Sequence, residues 1–198
     1  MSQHHCCVVL VIAHRDAAYA RFRELWWAHW RRTGAPGSPP MALFFLYNDP
    51  DQREPVVVDG PDLTFSYAET YPAPGLLMKT LGALDWLAAQ GVTYDWCLRT
   101  NLSSGFDWTA LRRFLRRLRC RSGVVGMFYQ PQFVSGAAML LSADVVRGVV
   151  GTRRAPPCPP RRCVPSASGW TPGRPTTTRS ICGCTRTTRR CPWSRCTG

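Results

Sequence analysis

Three apolar runs in this 198-residue chain end in polar clusters, and any chemistry it performs would be found there. His14, Arg15 and Asp16 follow CCVVLVIA (6–13), and Asn48, Asp49 and Asp51 follow MALFFLY (41–47). Arg99, Thr100, Asn101, Ser103 and Ser104 close and follow YDWCLR (94–99). Guanidinium, amide and hydroxyl groups are donors suited to phosphate or another oxyanion. Lys79, the only lysine, falls near the start of a helical pattern after a Pro/Gly loop, another position that favours an anion. Each group also has a plainer explanation. Arg99 would serve as a surface ion pair, Asn101 and Ser103 as turn and capping residues, and Lys79 as a stem lying along its helix. His14 and His29 have no partner at ligand spacing.

The elements that must carry these clusters alternate in type. Residues 6–13 form a continuous β-branched run, the pattern of a strand buried on both faces of a parallel sheet. Asp16 caps a predicted helix to about Arg32, with Tyr19, Phe22, Leu25, Trp26, Trp27 and Trp30 recurring near helical spacing. A loop over 33–40 leads to a second buried strand over 41–47, followed by a short strand over 56–58. A helix over 76–90 is predicted to bury Leu77, Leu81, Leu84 and Leu87 or Ala88, and the strand 94–99 follows it. Asp107 caps a helix to about Arg119 with Leu111, Phe114, Leu115 and Leu118 inward and Arg112, Arg113, Arg116, Arg117 and Arg119 on the solvated side. A glycine-broken strand over 133–141 and a short helix capped by Ser142 through Val150 complete the pattern. Alternation of this kind implies an open α/β sheet, in which ligands bind at the carboxyl ends of the strands.

The net charge of +13 is uneven. Residues 1–151 carry 15 Lys+Arg against 12 Asp+Glu, whereas 152–198 carry 10 Arg and no acid. That tail also holds six of the ten cysteines, eight prolines and nine threonines, too little apolar material for a core, so disorder is expected there. Its cysteines lack paired zinc spacing and it has no histidine. If Thr176, Thr177 and Thr178 are encoded ACG after a codon ending in G, the frame starting one base earlier reads three aspartates, so the tail is consistent with out-of-frame translation. No run of about 18 apolar residues marks a membrane span, the N-terminus lacks a signal pattern, and the four scattered body cysteines fit a reducing compartment. A cytoplasmic location is the expectation.

The order of motifs resembles the glycosyltransferases of the β-1,3-galactosyltransferase and Fringe kind, which have the GT-A fold. The matching stretches are VVLVIAHRDAAYARFRELWWAHW, Lys79-Thr80 within LLMKTLGALDWL, CLRTNLSS and FVSGAAMLLSADVV, in the family's order across most of 6–150. The resemblance implies an α/β GT-A-like open mixed sheet flanked by helices, incomplete at its C-terminal side, over 1–151. It implies hexosyl transfer with inversion from a UDP-sugar to a glycan or protein hydroxyl. Arg15, Lys79, Arg99, Asn101 and Ser103 would bind the donor, while Ser135 and Gly136 would line the acceptor side, unless close backbone packing explains those two. The family's acidic triplet holds Mn²⁺ or Mg²⁺ because carboxylate oxygens suit hard cations. Asn101, Leu102 and Ser103 stand in its place, so no metal centre of that type is expected and transfer should be impaired or absent. The competing reading is a non-catalytic basic protein whose arginines hold RNA or another polyanion, with non-specific attraction by the tail.

Overall fold

The computed structural model describes residues 4–69, 74–118, 120, 122–130 and 133–154. The tail expected to be disordered therefore lies, from 155 on, outside the described residues. Strands are β1 (His4–Ile12), β2 (Met41–Asn48), β3 (Val56–Asp59), β4 (Asp62–Phe65), β5 (Thr93–Asn101), β6 (Val124–Gln130) and β7 (Phe133–Ser142). Helices are α1 (Ala17–His29), α2 (Gly75–Ala89), α3 (Trp108–Arg117) and α4 (Ala143–Arg154). Among the described residues the strands make one mixed sheet in the order β3-β4-β2-β1-β5-β7-β6. The expected open mixed α/β sheet is thus present.

The β-branched run of β1 occupies the middle of the sheet because it can be buried on both sides. Cys7, Val9, Val11 and Ala13 meet one layer of packing, and Val8, Leu10 and Ile12 meet the other, all 2 % exposed or less. β1 runs parallel to β2, with Ile12 opposite Leu46, and parallel to β5, with Ile12 opposite Asn101. Three carboxyl ends therefore open on the same rim, with β4, parallel to β2, beside them. β7 returns antiparallel along β5, bringing Ala138 opposite Thr100.

Trp26 and Trp30 at the end of the first helical segment and Trp108 and Leu115 of α3 cover the first face. Trp26 and Trp30 meet Trp108 edge-on, with ring centroids 5.5 and 5.0 Å apart, a geometry aromatic quadrupoles favour. Ala83, Leu84 and Leu87 of α2 and Val146 and Val150 of α4 cover the second face. The helical faces are rotated from the sequence expectation. Phe22 and Leu25 are about half exposed on α1, Leu77 is exposed on α2, and Phe114 is exposed on α3. In their stead, α2 buries Gly75, Lys79 and Thr80, and α3 buries Arg112.

Arg112 also explains why the helical winding continues where a loop was expected. A π-helical turn over Trp30–Gly34 follows α1. The Arg112 guanidinium donates to the carbonyls of Thr33 and Gly34, satisfying acceptors that a helix end leaves open. Gly34 is required there, because a Cβ would overlap the Trp30 ring. The short strands β4 and β6 were not foreseen. DLTF is too brief to show a period, and the interior of VVGMFYQ is broken by glycine and by irregular pairing with β7. At the other end of the domain, α4 runs to Arg154 and so passes the expected boundary at 151. The Ser142 hydroxyl, expected as its cap, accepts the Gly123 N–H at 2.9 Å and contacts Asp144.

Burial raises the acidic pKa values of the core. The thiol of Cys97 is pushed up to about 12 and that of Cys7 well above its usual range, both by loss of solvent. Such thiols stay protonated in the folded chain while the unfolded chain releases its protons above the ordinary value of 9.0, so stability is full below that pH and falls as pH rises. Each fully effective thiol contributes about 1.4 kcal/mol per pH unit in this window. Urea unfolding under reducing conditions between pH 8.5 and 11 should show the decline, and Cys97→Val should make it shallower. An unchanged slope in that variant would assign the decline to other groups.

Candidate functional site

The rim formed by the ends of β1, β2, β4 and β5 carries two polar groupings. The first centres on Lys79, which is fully buried in the second turn of α2. Its Nζ donates to the Ala13 carbonyl at 3.0 Å and to both Glu69 oxygens at 2.8 Å. His14 Nδ1 lies 3.0 Å from Glu69 Oε1, and the His14 ring meets Tyr19 edge-on at 4.9 Å. Burial lowers the Lys79 pKa, the Glu69 carboxylate opposes that shift, and the Arg99 charge adds to it. Thus Lys79 is neither a snorkelling stem nor a freely offered cation. His14 has a partner after all, as does His29, whose Nε2 lies 3.0 Å from the Phe106 carbonyl.

Arg99 lies on the same face of the sheet, level with Leu10 of the layer that α2 covers. It is 8 % exposed on β5, opposite Leu10 of β1 and Met139 of β7. No carboxylate bonds to it among the described residues, which corrects the surface ion-pair reading. Its Nη1 donates to the Gly136 carbonyl, and burial lowers its pKa. A Cβ on Gly136 would overlap that nitrogen, so the glycine of β7 is what admits the arginine. Two hydroxyls, Thr100 at 2.6 Å and Ser104 at 3.2 Å, donate to the Ala137 carbonyl. Ser135 Oγ accepts the Ala137 N–H at 3.3 Å. Ser135 and Gly136 are therefore brought against the end of β5, with Gly136 touching Arg99.

The second grouping surrounds a cavity of about 630 Å³ lined by Arg15, Asp16, Arg23, Tyr47, Asp62 and Thr64. Arg15 is more than half exposed; it pairs with Asp49 at 3.1 Å and donates to Thr64 Oγ1 at 3.2 Å. Its guanidinium carbon lies 5.9 Å from the Tyr47 ring centre. Arg23 donates to both oxygens of Asp62 at 2.9 Å. Burial alone would lower the Arg23 pKa, but the Asp62 contact outweighs it and the net shift is upward. Asn48, buried at the end of β2, donates its amide to the carbonyls of Ala68 and Gly75, each at 3.3 Å. It thereby ties both sides of the segment that carries Glu69.

Among the described residues, no side-chain bond draws Asn101 or Ser103 into either grouping. The Asn101 carbonyl accepts the Ser104 N–H at 3.0 Å, the turn chemistry open to it from sequence, and Ser103 is exposed. Between them Leu102 is 1 % exposed in the aromatic layer, and its carbonyl accepts Trp26 Nε1 at 2.8 Å. An amide, a core leucine and a hydroxyl do not fit Mn²⁺ or Mg²⁺, which take hard, mostly anionic oxygens. Among the described residues no three His, Cys, Asp or Glu side chains gather as a metal set. A larger cavity of about 1120 Å³ lies at the opposite end of the sheet, where Asp95, Arg116, Asp144 and Arg147 border it. Strand starts and helix ends surround that cavity, away from the rim where the polar groups converge. Arg112, read as part of a solvated arginine face, instead belongs to the core.

Glu69 is the site residue that sequence reasoning missed. It precedes Lys79 by ten positions and lies outside any periodic element, so no local pattern announces their pairing. No protein-family model matches the chain, and no curated protein does. No helix among the described residues is long and apolar enough to cross a membrane.

The two groupings should respond differently to mutation. Lys79→Met removes a buried charged donor and leaves Glu69 without its ammonium partner, at a cost of about 3 kcal/mol. Arg15→Ala breaks an exposed pair and should cost less than about 1 kcal/mol. Denaturant melts of both variants would check this order, and equal losses would contradict the difference in burial.

Proposed function

We propose that the chain is a GT-A-like glycosyltransferase domain that binds a UDP-sugar at the carboxyl rim of its sheet, with hexosyl transfer to a glycan or protein hydroxyl impaired. The observation that carries this reading is the cavity beside β1, β2 and β4. It places an aromatic ring, Tyr47, beside a half-exposed guanidinium, Arg15. An apolar ring face suits a base and a guanidinium fork suits phosphate. The ordered sequence resemblance supplies the donor class, and the position of the cavity agrees with the rule that α/β sheets bind ligands at strand carboxyl ends.

Impairment follows from the acids. Asp49, Asp62 and Glu69 lie at the rim, and each is paired with a cation. Those three carboxylates are thus engaged as ion-pair partners and not held ready as general bases for an acceptor hydroxyl. With Leu102 in the core, the Asn101–Ser103 turn supplies no carboxylate to a metal-bridged diphosphate. Donor binding is therefore assigned to arginine and lysine charge and is independent of divalent metal.

Calorimetric titration of UDP and UDP-hexoses should show binding that is the same with Mn²⁺ as with EDTA. Arg15→Ala should weaken it roughly tenfold, the loss of one charge-assisted contact. Absence of binding under every condition would remove the donor reading. Binding that requires Mn²⁺ would remove its metal independence.

A further inference from the structure

Charge at the β1–β5 end of the rim is unbalanced. Lys79 is fully buried and Arg99 nearly so, yet Glu69 is the only carboxylate bonded to either among the described residues. A buried cation without an anion is costly. The Glu69 carboxylate is held as a bound anion would be. Both of its oxygens lie 2.8 Å from Lys79 Nζ, and Oε1 also lies 3.0 Å from His14 Nδ1. Its side chain is 35 % exposed above a lysine that is 0 % exposed, so the carboxylate covers the ammonium from the solvent side.

We propose that Lys79, His14 and Arg99 form an oxyanion site whose resident occupant is Glu69, and that a phosphate or diphosphate enters by displacing that carboxylate. A single structural ion pair leaves the Arg99 charge uncompensated, and Arg99 stands level with Leu10 on the face of the sheet that the Lys79 helix covers. A multiply charged phosphate balances both cations, which one carboxylate does not. Asn48 holds the Ala68 and Gly75 carbonyls, keeping the ends of the Glu69 segment in place while the carboxylate swings outward. The donor reading enters here only in naming the anion as the diphosphate of a nucleotide sugar. Displacement makes Glu69 an internal competitor that holds donor affinity down.

Inorganic pyrophosphate, titrated calorimetrically into the full chain at fixed ionic strength, tests the site without a nucleoside. Glu69→Gln should bind it at least about tenfold more tightly than the native chain, the loss of one charge-assisted competitor. Glu69→Asp, one methylene short of its partners, should fall between, and it carries the comparison if Glu69→Gln does not fold. Adding Arg99→Met to the tighter variant should abolish the gain. Equal affinity in the native chain and both Glu69 variants, or a gain that survives Arg99→Met, would overturn the proposal. Parallel titration with UDP separates the two readings. UDP bound equally by native and Glu69 variants keeps the donor reading and rejects displacement, whereas enhanced pyrophosphate binding without UDP binding does the reverse.

Discussion

A fully buried ammonium must be matched by oxygen acceptors or lose its proton, and the match made by Lys79 organises the working end of this protein. Its three bonds reach the carbonyl that ends β1 and both oxygens of a residue beyond β4. One side chain therefore ties a central strand, a connecting segment and α2 to one another. That linkage has a geometric consequence. The end of β1 is where His14 and Arg15 leave the sheet, so the lysine sets the starting point for both polar groupings. Burial weakens the hold of Lys79 on its proton while Glu69 strengthens it; the carboxylate is thus part of the fold as well as of the rim.

The opposite face of the sheet is stabilised by different means. Trp26, Trp30 and Trp108 bury large area in edge-on contacts, and Arg112 crosses from α3 to satisfy carbonyls of the π-helical turn. Leu102 joins this layer from the segment that follows β5. The middle residue of the turn after β5 is consequently a core residue, which leaves Asn101 and Ser103 on either side as isolated polar groups.

Cations at the rim divide by burial. Arg15 is exposed and paired weakly, so its guanidinium is free to exchange Asp49 for another anion at small cost. Arg99 is buried beneath Gly136 and held by a carbonyl, so it acts through its charge on neighbouring groups. The two arginines come from parallel strands that end at the same level, yet they are suited to different work. Depth, set by a glycine in one case and by an open cavity in the other, makes the distinction.

Much of the architecture was legible in the chain itself. The apolar runs of β1, β2 and β5 identified central strands because a strand buried on both faces is dominated by apolar residues. Their polar ends identified the rim, and the aspartates at 16 and 107 marked helix starts, as their bonds to the N–H groups of Tyr19 and Ala110 show. Other features had no local signature. Phe22, Leu25, Leu77 and Phe114 repeat at helical spacing, but the width and direction of each buried face depend on the layer opposite. DLTF became a strand only through pairing with β2 and β3. Above all, the bonding of Glu69 to Lys79 and His14, and of Arg99 to Gly136, joins residues that are neighbours only after the sheet has assembled. Sequence determined which side chains could be charged at the rim; tertiary structure decided which of those charges are already spoken for, because desolvation and pairing are properties of position in three dimensions.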